Sequence, residues 1–221
     1  MSEAPGPLGV LGGTFDPVHV GHLRLAEEAI DRLGLDRVRL IPAGQPPHRH
    51  PPRAAAPHRL EMVRLAVADN PRLDVDDAEV AAADAPSYTV VSLQRLRRTL
   101  GTTRPLVLLL GADAFLGLAT WHRWRELFGL AHLAVATRPS HVLETAAMAA
   151  ELAEEFSARV RRDARVLGEE PCGRIVPFGI TALDVSATAV RAALMAGDSV
   201  RYLLPPAVLD YIARNHLYSP A

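Results

Sequence analysis

The sequence predicts an α/β fold, a Rossmann-like doubly wound parallel sheet, carried by a single domain of residues 1–221 with a small helical part at about residues 186–221. Three observations predict it. Short apolar runs of strand length alternate with longer stretches of helical period, the order expected of parallel strands joined by helices. The first run leads at once into a glycine pair and then a helical pattern, a strand, loop and helix in succession. Leu106 to Leu110 is an unbroken aliphatic run between Pro105 and Gly111, as a central strand covered on both faces should be.

Taken in order, Leu8 to Leu11 reads as the first strand. Beyond Gly12 and Gly13, the residues Leu23, Ala26, Ile30 and Leu33 recur at three- and four-residue spacing, and Gly34 stands where a helix would end. Arg37 to Pro42 is the second strand. Ala43 to Pro57 holds five prolines and reads as a long stiff loop, a length that in a compact domain marks function or mobility. His58 to Ala68 has helical period, and Leu73 to Val75 is a short strand. Val90 to Leu100 is a helix with Ser87 or Thr89 as its cap. After the strand Leu106–Leu110 comes Gly111-Ala112-Asp113, which puts a polar residue just past the carboxyl end of a central strand, where open α/β sheets bind ligands. Leu133 to Ala136 is a strand, Leu143 to Arg162 a long helix, Arg174 to Phe178 a strand, and Thr188 to Met195 and Ala207 to Ala213 are helices. No internal repeat or low-complexity linker interrupts the series.

Composition narrows the function. The net charge is −1, from 24 basic and 25 acidic residues intermixed along the chain, so no overall field draws it to nucleic acid or an anionic membrane, and small molecules are the expected partners. Cys172 is the one cysteine, which excludes an internal disulfide and agrees with a reducing, cytoplasmic location. The residues Met1 to Pro5 do not read as a secretion signal, and no apolar run nears the ~20 residues of a membrane helix. All the basic residues are arginine. Without lysine there is neither a Walker-type phosphate loop nor a Schiff-base enzyme.

The segment Gly12-Gly13-Thr14-Phe15-Asp16-Pro17-Val18-His19-Val20-Gly21-His22 carries the chemistry. A glycine pair after a buried strand lets backbone approach a ligand, and the following helix offers unpaired N–H groups, which together suit an anion. The third glycine of the dinucleotide fingerprint is missing, so hydride transfer is not expected. At i and i+3, His19 and His22 share one face of the first helical turn and can reach one phosphate chain. Two other readings stay open: His22 acts as a local cap, or the histidines join Asp16 at a zinc ion, although no further ligand pattern supports the metal.

The same segment resembles the signature of the nucleotidyltransferase superfamily that shares an HxGH motif with class I aminoacyl-tRNA synthetases, and within it bacterial nicotinate-nucleotide adenylyltransferases. The likeness continues through Pro46-Pro47-His48-Arg49, Pro86-Ser87-Tyr88-Thr89, Gly111-Ala112-Asp113, Thr120-Trp121, Arg138-Pro139 and Val185-Ser186-Ala187-Thr188-Ala189-Val190-Arg191, with Leu203-Leu204-Pro205 and His216-Leu217-Tyr218 at the end. It implies AMP transfer from ATP, taken with Mg²⁺, to nicotinate mononucleotide, giving deamido-NAD and pyrophosphate. The attacking phosphate monoester, with a second pKa of about 6, needs no general base, which accounts for the lack of a nucleophile and base pair.

By this resemblance His19, His22 and Arg191 are the catalytic set, and His22 is the donor to the transition state. Gly12, Gly13, Thr14 and Phe15 approach the nucleotide, and Ser186 and Thr188 hold phosphate oxygens. Trp121 stacks on the pyridine ring, Thr89 and the backbone near His122 read its carboxylate, His48 and Arg49 approach the mononucleotide phosphate, Tyr88 and Arg138 belong to the substrate site, and Asp113 binds ribose. No metal ligand is assigned to the protein. A plain helix cap remains an alternative for Thr188 and for Asp113, and core packing for Trp121. Three departures stand out: Arg49 replaces a lysine, Ala187 a second serine, and His122 an aromatic. The competing functions are a phosphopantetheine adenylyltransferase, which shares the opening motif, and a nucleotide sensor without turnover. The sequence leaves a homodimer open.

Overall fold

The computed structural model describes residues 5–47, 51–82, 85–137 and 143–219. Along the chain run β1 (Leu8–Gly13), α1 (Val20–Leu33), β2 (Arg37–Pro42), α2 (Ala56–Val67), β3 (Leu73–Val75), α3 (Ala78–Ala81) and α4 (Thr89–Leu100). Then follow β4 (Leu106–Gly111), α5 (Ala112–Leu116), β5 (His132–Thr137), α6 (Ala150–Arg159), α7 (Val166–Glu169), β6 (Ile175–Gly179), α8 (Ala187–Ala196) and α9 (Pro206–Arg214). The strands make one parallel six-stranded sheet in the order β3-β2-β1-β4-β5-β6, which reverses direction between β1 and β4 as a doubly wound sheet must.

The chain divides into two compact units. The first comprises residues 1–11, 25–38 and 88–182. Its centre is β4, whose residues Leu106 to Leu110 are all buried, with Leu108 in register with Leu133 and Leu133 with Ile175. Burial of such a run removes each side chain from water at roughly 1.5–3 kcal/mol apiece. The polar groups inside are paired. Glu28, 2% exposed, accepts the Thr181 N–H at 2.9 Å and pairs with Arg32 at 3.2 Å. Arg97 donates to the carbonyls of Leu130, Arg104 and Pro171 and so ties three loops together.

The second unit comprises residues 12–24, 39–87 and 183–221. Here α2 and α9 are joined by the 2.9 Å bond between His58 Nδ1 and the Tyr211 hydroxyl, and β2 and β3 by the two-pronged pair of Arg39 with Asp74. Pro57 lies in the first turn of α2, where its missing N–H costs nothing.

Several elements differ from the sequence reading. The long helix over 143–162 is only α6: residues 145–147 form a 3₁₀ turn, and Met148 and Ala149 are extended before the helix starts. Met148, 8% exposed, is drawn into the core, a tertiary demand that overrides its helical period. The first strand runs on through Gly12 and Gly13, because the Gly13 carbonyl accepts the Ala43 N–H at 2.9 Å. Neither Ser87 nor Thr89 caps α4: the cap position is Tyr88, without a side-chain bond, and the Ser87 hydroxyl instead accepts the N–H groups of Gly44 and Gln45. Between β4 and β5, which the sequence left unassigned, lie α5 and two 3₁₀ segments, Leu118–Thr120 and Trp124–Gly129.

Candidate active site

In the second unit the two histidines meet. His19 carries the carbonyl that accepts the first bonds of α1, from His22 and Leu23, and so sits at the cap position. The His22 ring reaches back, and its Nδ1 accepts the His19 N–H at 3.2 Å, as a glutamate does in a capping box. The capping alternative is therefore real, and it has a chemical consequence. With Nδ1 spent as an acceptor, neutral His22 carries its hydrogen on Nε2, which stays free to donate. The two rings stack with centroids 3.7 Å apart, and Phe15 meets His22 edge-on at 4.9 Å.

Burial sets the charge state. It pushes the His19 pKa down to about 4. Burial, and then the neighbouring His19 charge, holds His22 well below the usual range. Both rings are neutral at pH 7 before a ligand arrives, and His19 Nδ1, buried, has no hydrogen-bond partner among the described residues. A polyanion would supply the charge that these rings lack.

The loop before them is tightly constrained. Phe15 is 2% exposed and left-handed at φ 50°, a conformation a bulky residue keeps only where its surroundings fix it. A side chain at Gly13 would lie 3.0 Å from the Phe15 ring, and one at Gly21 would lie 2.8 Å from Val185 Cγ1 and 3.1 Å from His19 Nδ1. At Gly12 a side chain would meet nothing within 4 Å among the described residues. Gly13 and Gly21 thus answer to the fold, while no contact among the described residues explains Gly12.

Two buried side chains that the sequence reading gave no such role hold this loop. Arg59, 1% exposed, donates to the carbonyls of Ala54, Thr14 and Gly44 at 3.1, 2.6 and 3.0 Å, pinning both ends of the proline-rich loop to the motif. Asp16, 5% exposed, accepts from the Arg53 N–H (2.8 Å), the Ala54 N–H (3.0 Å) and the Tyr218 hydroxyl (2.7 Å). These donors occupy the carboxylate that a zinc site would have needed, and no cluster of three or more His, Cys, Asp or Glu side chains suits a metal among the described residues. Arg191 Nη1 donates to the Asp16 carbonyl at 2.6 Å, and Nη2 to Thr188 Oγ1 at 3.3 Å. Ser186 rather than Thr188 caps α8, its Oγ accepting the Ala189 N–H at 3.1 Å. Gly12, Gly13, Thr14, Phe15, His19, His22, Ser186, Thr188 and Arg191 thus all lie in one unit.

The first unit holds Tyr88, Thr89, Asp113, Trp121 and His122. The Tyr88 and His122 rings meet tilted at 33° with centroids 4.3 Å apart, which gives the His122 side chain a contact of its own. Thr89 opens α4. Asp113, exposed in the first turn of α5, caps nothing, since Gly111 takes the cap position. Trp121 is half-buried with its backbone bonded to Leu118 and Trp124, and it is not a core residue. His48, Arg49 and Arg138 lie outside the described residues.

Known proteins bear on this geometry. The cytidylyltransferase-like family model matches residues 10–193. A relative from Dechloromonas aromatica named probable nicotinate-nucleotide adenylyltransferase is 59% identical over 99% of both chains, and one of the same name from Aeromonas hydrophila is 47% identical over 97% of this chain and 98% of its own. The solved Plasmodium falciparum nicotinic acid mononucleotide adenylyltransferase, complexed with NaAD, superposes with a TM-score of 0.70 over 96% of this chain and 97% of its own; at 15% identity this likeness speaks for the fold. Among the described residues no helix is long and apolar enough to cross a membrane.

Proposed function

We propose, from the premise that the chain belongs to the cytidylyltransferase-like family, that it is a nucleotidyltransferase moving AMP from ATP to nicotinate mononucleotide, with deamido-NAD and pyrophosphate as products. An oxygen of the mononucleotide phosphate bonds to the α-phosphorus of ATP while the bond from that phosphorus to the bridging oxygen of pyrophosphate breaks. Nothing in the chain becomes covalently attached. The work is positioning and stabilising charge.

The observation that carries this reading is the pair of neutral stacked imidazoles beside a loop whose backbone is pinned and an arginine bonded to the same loop. His22 Nε2–H donates to the phosphate oxygens as charge builds, and His19 stacks behind it and meets the same polyphosphate. Gly12 leaves room for the nucleotide against the backbone of Gly13 and Thr14, and Phe15, its ring buried, acts by holding His22. The Ser186 and Thr188 hydroxyls and the Arg191 guanidinium take the phosphates at the start of α8. ATP enters as its Mg²⁺ complex, in which the ion spreads the charge of the phosphates, and among the described residues no group of three or more His, Cys, Asp or Glu side chains could hold the ion. In the other unit Trp121 stacks on the pyridine ring, Thr89, Tyr88 and the backbone at His122 receive its carboxylate, and Asp113 takes ribose hydroxyls. His48, Arg49 and Arg138 complete the mononucleotide site. The proposed setting is one catalytic domain in the cytoplasm, acting on small molecules without nucleic acid or membrane, with a homodimer as the assembly to test.

Pyrophosphate release with MgATP and nicotinate mononucleotide, nicotinamide mononucleotide or phosphopantetheine tests the reading. Turnover fastest with the nicotinate compound is expected. A preference for phosphopantetheine, or binding of ATP with no release from any acceptor, would overturn it.

A further inference from the structure

Tyr218 stands 202 positions from the carboxylate it serves, and its hydroxyl donates to Asp16 Oδ1 at 2.7 Å. Its backbone is left-handed at φ 59°, an uncommon state for a bulky residue. Burial first, and then the bond to Asp16, raises the pKa of the hydroxyl, which therefore remains a donor at any working pH. Around Asp16 the donors are divided: Arg53 N–H serves Oδ2, Ala54 N–H and Tyr218 serve Oδ1, and Arg191 Nη1 goes to the backbone carbonyl while lying 3.7 Å from Oδ2. The guanidinium is thus anchored by a neutral oxygen, with the carboxylate beside it turned towards other partners.

We infer that Tyr218 is a positioning residue for the transfer: by holding the Asp16 carboxylate it keeps the Arg191 fork open for phosphate. This rests on reading Arg191 as a phosphate ligand. Without the hydroxyl, Oδ1 keeps a single donor, and Arg191 Nη1 already lies 3.7 Å from the other oxygen of the same carboxylate. A carboxylate that turns to it forms a two-pronged pair, the geometry arginine otherwise offers to phosphate. The carboxylate then competes with ATP for the same N–H groups.

The test combines steady-state kinetics with thermal denaturation for Tyr218→Phe, Arg191→Ala and the double variant, using MgATP and nicotinate mononucleotide. Tyr218→Phe keeps the ring and is expected to raise KM for MgATP about tenfold while leaving that for the mononucleotide unchanged. In the Arg191→Ala background the same substitution is expected to add no kinetic loss, although it lowers Tm by the same amount in both backgrounds. An equal kinetic loss in both backgrounds, or none where Arg191→Ala itself is impaired, overturns the positioning role. Parent-like kinetics for Arg191→Ala would instead overturn the phosphate reading of Arg191, and the inference with it.

Discussion

The two units handle their residues in opposite ways. In the second, almost every group near the histidines is fixed: His22 by its own helix cap, Thr14 and Gly44 by Arg59, the Asp16 carboxylate by three donors from two parts of the chain. In the first, the corresponding groups are half-buried or exposed, and Tyr88 and His122 meet through their rings. Transferring a phosphoryl group rewards donors that are in place before charge appears, because their reorganisation would otherwise add to the barrier. A flat aromatic ring asks for something else, an apolar face left uncovered until the ligand stacks on it. On the proposed assignment of substrate parts, preorganisation in the second unit and exposure in the first follow from what each part is made of.

That contrast can be broken by substitution. The largest effect is expected at Arg59, which is 1% exposed: Arg59→Ala leaves three carbonyls without their donor and should cost about 3–5 kcal/mol of stability, read by chemical denaturation. A loss as large from Trp121→Ala would erase the distinction between the units. Next, His22→Ala should lower kcat a hundredfold or more, about 2.7 kcal/mol at the transition state, with a smaller loss of stability. Near-normal turnover by a folded variant would remove His22 from the reaction.

Acid provides a third probe. His19 binds its proton with a pKa of about 4 when folded and about 6.5 when unfolded, so the unfolded chain takes up more protons between these values and stability falls as pH drops through that window. Between pH 7 and pH 5 the loss assigned to His19 is about 2 kcal/mol, and His19→Gln should abolish that part of the slope. A slope unchanged by the substitution would mean that His19 is not the buried neutral group described. The smallest effect is expected at Trp121, where alanine should raise KM for nicotinate mononucleotide about tenfold, near 1.4 kcal/mol, and leave that for MgATP unchanged. A shift confined to ATP would move the stacking role elsewhere.

Much of this was legible from local pattern. The strand, glycine pair and helix at residues 8–33 are successive in the chain, and the i, i+3 spacing of His19 and His22 follows from one helical turn. The parallel core was written in Leu106 to Leu110, and the family in motifs quoted by their order. Where the reading went astray, a distant contact decided the matter: Met148 left its helical period for the core, and Ser87 left the end of α4 to receive the amides of Gly44 and Gln45.

The sequence by itself determined the α/β order, the glycine pair after the first strand and the i, i+3 spacing of His19 and His22, because each depends on neighbours within a few positions. Only the tertiary structure decided that Arg59 grips the carbonyls of Thr14 and Gly44, and that Tyr218 stands on Asp16. Hydrogen bonds between residues far apart in the chain have no period to betray them, and they exist only once the chain has folded and excluded the water that would compete for the same donors.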